Sequence, residues 1–192
     1  MAEVRLRKTI LIALVALIVA TFPANGQTQK HWRDRTEYEL FARAKGDATP
    51  GARLQVLDKW KGSYPQSDFA DERLQIYLRT YQGMNNHRQA FDTAWEILKS
   101  QPNDLSSLLE IVEYGLQLLP KQPNATLSEE NKSDLATIQK TSRYILENLD
   151  MIFGASKRPQ PASDEEWRSA RIKMQDTAQS AMNRVAALAT QN

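Results

Sequence analysis

Residues 71–104 read DERLQIYLRTYQGMNNHRQAFDTAWEILKSQPND, and the architecture of the chain follows from this stretch. Leu74, Tyr77, Leu78 and Tyr81 recur at helical spacing, then Ala90, Phe91, Ala94 and Trp95 do the same. Each set marks one face of a helix. Asn85-Asn86 between them suits the left-handed backbone of a tight turn, and Pro102-Asn103-Asp104 both stops the second helix and caps the next. The unit is therefore a helix pair, and a pair that cannot bury its own apolar faces must stack on neighbours of the same kind.

The same periodicity extends in both directions. Glycine is scarce, proline falls between periodic segments, and the spacing predicts seven helices over 30–45, 50–61, 68–83, 87–100, 105–119, 129–153 and 164–190. Thr49-Pro50 places a capping oxygen ahead of a proline whose missing N–H costs nothing at a first helical position. Ser163-Asp164-Glu165-Glu166 reads as a capping box. The sixth helix aligns Leu135, Ile138, Ser142, Ile145, Leu149 and Ile152, and the seventh aligns Trp167, Ala170, Met174, Ala178, Ala181, Val185 and Leu188. Seven helices leave the last unpaired, so its stripe must cover the sixth helix, meet another chain or stand exposed; it is expected to pack on the fifth and sixth as a cap, because helical arrays end in an element with a polar outer face.

At the N-terminus, Arg5, Arg7 and Lys8 precede an eleven-residue apolar run from Ile10 to Ala20, and Pro23-Ala24-Asn25-Gly26 supplies a breaker and small residues. This is the pattern of a secretory signal peptide cleaved near Gly26, and the run is short of the roughly 20 apolar residues of a membrane span. The expected organisation is a signal at 1–26 followed by one helical domain at 27–192, in the periplasm or outside the cell. A membrane attachment is expected only if the segment stays uncleaved. Removing it leaves 22 basic and 22 acidic residues, so no basic surplus is left to neutralise phosphates and nucleic acid is not an expected partner. With no cysteine, disulfides, thiolate metal sites and cysteine nucleophiles are excluded.

The 71–104 unit resembles a tetratricopeptide repeat. Leu74, Tyr77, Leu78, Tyr81, Ala90, Ala94 and Pro102 stand at that family's spacings, with Leu74 replacing the usual tryptophan, Leu78 the glycine and Ala94 the phenylalanine. Phe91 and Trp95 are positioned to supply the missing bulk. The preceding pair, with Leu54, Leu57, Trp60 and the break Tyr64-Pro65-Gln66-Ser67, is similar to repeats of exported bacterial envelope proteins. The resemblance implies an all-α, right-handed α-solenoid of antiparallel helix pairs that acts as a scaffold or adaptor. It also implies that non-core positions of the first helix of a pair, here Glu72, Gln75, Arg79 and Gln82, meet a protein or peptide on the concave face. Gln75 and Arg79 stand where a carboxylate-clamping repeat has Lys and Asn, so that clamp is not carried over. As plain chemistry, Arg79 offers a planar fork of donors to a carboxylate, and Gln75 and Gln82 can pair with an extended backbone.

Other candidates have weaker support. His31 and His87 belong to different helix pairs, and Asp34 is the one further ligand near His31, too few for a metal centre. No phosphate loop, nucleophile elbow or paired-histidine motif occurs, so no cofactor is expected. Glu72, Glu110 and Glu113 are expected on solvated helix faces; an envelope glycan-cleaving enzyme using Glu72 or Glu110 as its acid is the competing reading, without the Glu-Ser dipeptide of helical lytic transglycosylases. Self-assembly through Trp167 and Val185 is a third. Tyr77, Tyr81, Phe91, Trp95 and Tyr114 are expected to fill the core, and Pro120 to Asn131 to form an exposed linker, with Pro159-Gln160-Pro161 a stiff connection.

Overall fold

The computed structural model of the protein describes residues 30–46, 49–121 and 126–189. The leader assigned to 1–26 lies outside them. Residues from Trp32 onward form one compact unit, and among the described residues every regular element is helical. The helices are α1 (Arg35–Lys45), α2 (Pro50–Ser63), α3 (Ala70–Gly83), α4 (His87–Ser100), α5 (Leu105–Leu109, continued by tighter and wider turns to Leu118), α6 (Glu129–Ile152) and α7 (Asp164–Ala189). Seven were expected, with ends that differ by a few residues. The largest difference is at α1, whose start is set by Asp34: its carboxylate accepts the Glu37 N–H at 2.9 Å as an N-cap.

Capping explains most of the other boundaries. The Thr49, Asn86, Asp104 and Ser128 side chains accept from Ala52, Gln89, Ser107 and Asn131, and Asn85 takes a left-handed φ of 53° between α3 and α4. At the start of α7 the box closes in both directions: the Ser163 N–H donates to Glu166 Oε2 at 2.7 Å, and the Glu166 N–H donates to Ser163 Oγ at 3.2 Å.

Each helix packs on its successor in sequence, and α1 also touches α3. Helix α3 serves two interiors because it is apolar on two sides. Ile76 and Tyr77 join Leu40, Val56, Leu57 and Trp60 in a cluster under α1 and α2, whereas Leu78 joins Phe91, Ile97, Leu108, Ile111, Ile138 and Ile145 in the larger cluster reaching α7. The smaller interior contains charge. Glu37 is fully buried, accepting the Arg33 N–H at 2.7 Å and the Trp60 indole N–H at 3.2 Å. Arg73, 5% exposed, lies over the Trp60 ring and donates to the Tyr64 carbonyl at 2.9 Å. Its desolvation holds the guanidinium pKa below the usual value, and the Tyr77 and Glu37 charges act in the opposite direction.

The substitutions in the 71–104 unit are filled as the sequence suggests. Leu78 and Ala94 are wholly buried and Phe91 is 3% exposed, while Trp95 is only half-buried. Helix α5 departs from the regular helix expected over 105–119. Glu110–Tyr114 form a π-helical turn and Gly115–Leu118 a 3₁₀ turn. Gly115 accounts for part of this, since a Cβ there would stand 2.6 Å from Phe91 Cε2 and 3.2 Å from Ile138 Cδ1. The backbone of α5 thus approaches α4 and α6 more closely than any residue with a side chain allows.

Helix α7 packs along α6 and against the π turn of α5. Met174, Ala178, Ala181, Val185 and Leu188 are buried there, and Ala170 falls outside the stripe. Trp167 is half-buried, with its indole N–H donating to the Phe153 carbonyl at 3.0 Å. Val185, 3% exposed, is buried in this intrachain contact. Between α5 and α6, residues 122–125 lie outside the described ones. The rest of that linker is not wholly exposed: Leu127 is 6% exposed and packs into the large cluster. Helix α6 kinks at Asn148 (φ −124°, ψ 19°), where the side-chain amide donates to the Tyr144 carbonyl and draws it out of the ladder.

Candidate functional site

The four residues singled out on α3 share one strip, but they have different occupations. Gln75 Nε2 donates to Asp104 Oδ2 at 3.0 Å, and Gln82 Nε2 donates to Glu110 Oε2 at 2.9 Å. Both glutamines therefore tie α3 to α5, the first helix of one pair to the first helix of the next. Asp104 meanwhile caps α5 by accepting the Ser107 N–H at 2.8 Å. Glu72 is half-buried, and Arg79 is exposed with no hydrogen bond or ion pair among the described residues. A guanidinium in water between two glutamines already engaged is the group on this strip that remains available.

Glu110 corrects the expectation of solvated glutamates. It is 2% exposed, in the π turn of α5, while Glu72 and Glu113 are half-buried. Burial raises its carboxyl pKa; the Gln82 hydrogen bond and the His87 charge oppose this, and Glu113 adds to it. The sequence contains a signal for this burial only in hindsight: Glu110 falls between Leu108 and Ile111 on the core-facing arc of α5. Tyr114 is a second correction, since it is 36% exposed instead of filling the core, and its ring stacks on His87 at 5.4 Å with planes 9° apart. The widened turn rotates Tyr114 out of the stripe that a regular helix would have kept.

The sign of the Glu110 effect follows from linkage. A carboxyl whose pKa is higher folded than unfolded holds its proton more tightly in the native state, so the native state loses stability as pH rises from the unfolded value of 4.5 through the raised folded one. Glu110→Gln keeps an oxygen for Gln82 and removes the charge. Its Tm is expected to exceed that of the wild type at pH 7, with the gap closing below pH 4.5. Thermal melts across pH 4 to 8 check this, and a gap independent of pH would refute it.

Asp34 is occupied as the α1 cap and accepts the Tyr64 hydroxyl at 2.8 and 2.9 Å; the Glu37 N–H chiefly, then Tyr64, holds its carboxyl pKa down, and Tyr64 is raised in return. Among the described residues no group of three or more His, Asp or Glu is placed to hold a metal, and no helix is long and apolar enough to cross a membrane.

No protein-family model, curated protein or solved structure matches the chain.

Proposed function

We propose that the protein is an exported scaffold: a right-handed α-solenoid of tetratricopeptide-like pairs, cleaved near Gly26 and delivered to the periplasm or the exterior, that holds a protein or peptide on the face carrying Arg79. The observation that carries this reading is the division of labour on α3. Gln75 and Gln82 fix the spacing between α3 and α5 through two hydrogen bonds, and Arg79 between them keeps its donors free among the described residues. Supporting it are the sequential packing of the helices and the near balance of charge after the leader. An acidic side chain or chain terminus on the partner is the natural complement to a guanidinium.

The proposal is tested with a photocrosslinking residue placed at position 79 and, as a control, at position 147 on the exposed side of α6. In intact envelopes, position 79 is expected to capture a defined partner that position 147 does not. Arg79→Glu, introduced with the crosslinker at position 72, is expected to remove that product while leaving Tm unchanged, since Arg79 is exposed and bonds to nothing described. Equal products from positions 79 and 147, or a product indifferent to Arg79→Glu, exclude this face.

The glycan-cleaving alternative has one observation in its favour, the raised carboxyl pKa of Glu110, which a general acid requires. That carboxyl is 2% exposed and bonded to Gln82, away from the solvent a polysaccharide occupies. Cell-wall digestion by wild type that is abolished in Glu110→Gln would reverse the preference.

A further inference from the structure

A groove on a different part of the surface has the composition of a ligand site. It lies between α4, the turn after it, α5 and α6, with a volume of about 350 Å³, within the ~300–1,000 Å³ range of small-molecule sites. Its walls are apolar: Trp95 and Leu98 from α4, Pro102 from the turn, Leu108 from α5. Trp95 packs against the large cluster but is only half-buried, and it also lines the groove.

The polar side chains in this lining are Lys99, Lys140, Thr141 and Tyr144, with the Trp95 indole, and no carboxylate or side-chain amide lines the groove. Lys99 is paired with Glu96 outside it, and Tyr144 donates its proton to Asn103 Oδ1 at 2.8 Å. Lys140 has no ion-pair partner among the described residues, and its ammonium sits 5.3 Å from the centre of the Trp95 ring at the mouth. Thr141, 3% exposed, has a hydroxyl without a hydrogen-bond partner among the described residues. A buried hydroxyl in that condition carries a desolvation cost that a bound acceptor relieves.

We infer that this groove binds a small apolar monocarboxylate, with its hydrocarbon body against Trp95, Leu98 and Leu108 and its carboxylate at Lys140 and Thr141. A peptide segment fits less well, because its backbone N–H groups would find only the Thr141 and Tyr144 hydroxyl oxygens as acceptors and its length would meet two ammonium groups. An apolar cation would meet two ammonium groups. An acceptor-only head on an apolar body is what the lining leaves.

The site is independent of Arg79, which is on α3, so either proposal can fail without the other. The probes are decanoate, decanol and decylamine, each titrated below its micelle concentration into the isotope-labelled full chain, with amide shifts followed by NMR. Decanoate is expected to bind saturably at one site, moving the signals of residues 95–102 and 140–144, and to bind at least about fivefold more tightly than decanol, the margin of about one partly exposed charge contact. Lys140→Glu is expected to remove that margin. Thr141→Val, which keeps the shape and deletes the hydroxyl, is expected to weaken decanoate while leaving Tm at or above the wild-type value. Failure of decanoate to saturate, equal binding of the three probes, shifts centred elsewhere, or affinity unchanged in both variants would overturn the inference.

Discussion

Trp60→Ala is expected to destabilise the protein by about 4 kcal/mol, the upper part of the range for deleting a buried aromatic, and to lower Tm by about 10 °C. Two effects combine. The indole is wholly buried among Leu40, Leu57 and Ile76 and leaves a cavity that helices α1 to α3 cannot close by a side-chain adjustment. Its N–H is also one of two donors to the wholly buried Glu37, and its face carries the Arg73 guanidinium. Removing it leaves a carboxylate with one hydrogen bond and a cation without its aromatic support. Trp60→Phe separates the contributions: it keeps most of the volume and the ring face, and loses the N–H. An expected loss of about 2 kcal/mol for Phe, from the unmet acceptor and the smaller ring, would assign the remainder to the cavity. Chemical denaturation of both variants measures it, and a Trp60→Ala loss below about 1 kcal/mol would show that the first two helices are not a cooperative part of the structure.

Arg88→Ala has the next largest expected effect, about 2–3 kcal/mol, below the 3–5 of a fully buried pair because one partner reaches solvent. Arg88 projects from the first turn of α4 and grips Asp134 of α6 with both terminal nitrogens, one of them at 3.1 Å, with Asp92 and Glu130 alongside. Exposure is unequal: the Asp134 side chain is 6% exposed and that of Arg88 30%. The hydrogen bond that Arg88 donates to Asp134 holds the Arg88 pKa above its ordinary value. Truncating the arginine abandons a buried carboxylate, which is why the loss exceeds that of an exposed bridge. Asp134→Ala is expected to cost less, since the guanidinium it releases can turn to water. The double variant Arg88→Met with Asp134→Leu is expected to recover most of the loss, because an apolar contact of similar volume needs no solvation. If the single variants cost the same, burial is not what sets the strength of this link.

The two interiors divide these outcomes. Trp60 and Glu37 belong to the cluster of α1, α2 and one side of α3, and Arg88 and Asp134 brace the larger cluster from α3 to α7. Among the described residues only α3 contributes to both, through Tyr77 on one side and Leu78 on the other. Tyr77 is held to α2 by a 2.6 Å hydrogen bond to Asp58, and burial raises its phenol pKa above the usual value. The helix that carries Arg79 is therefore held from both sides, which suits the binding surface proposed for it.

The sequence by itself determined the helices, because their signals are local. Apolar residues at steps of three and four, caps at Thr49, Asp104 and Ser163, and the left-handed turn at Asn85-Asn86 each act within a few residues of chain, and each is found where those residues stand. The placement of Leu78, Ala90, Phe91 and Ala94 inside was legible for the same reason. What only the tertiary structure decided was the fate of groups whose partners are distant in sequence. Gln75 and Gln82 read as free amides until Asp104 and Glu110 are brought beside them from about a repeat away. Glu110 reads as solvated and Tyr114 as buried until the close approach of Gly115 to Phe91 and Ile138 coincides with a π turn that turns one inward and the other out. Periodicity fixes which face of a regular helix is apolar; where packing breaks the regular turn, the faces are reassigned by contacts that no local pattern encodes.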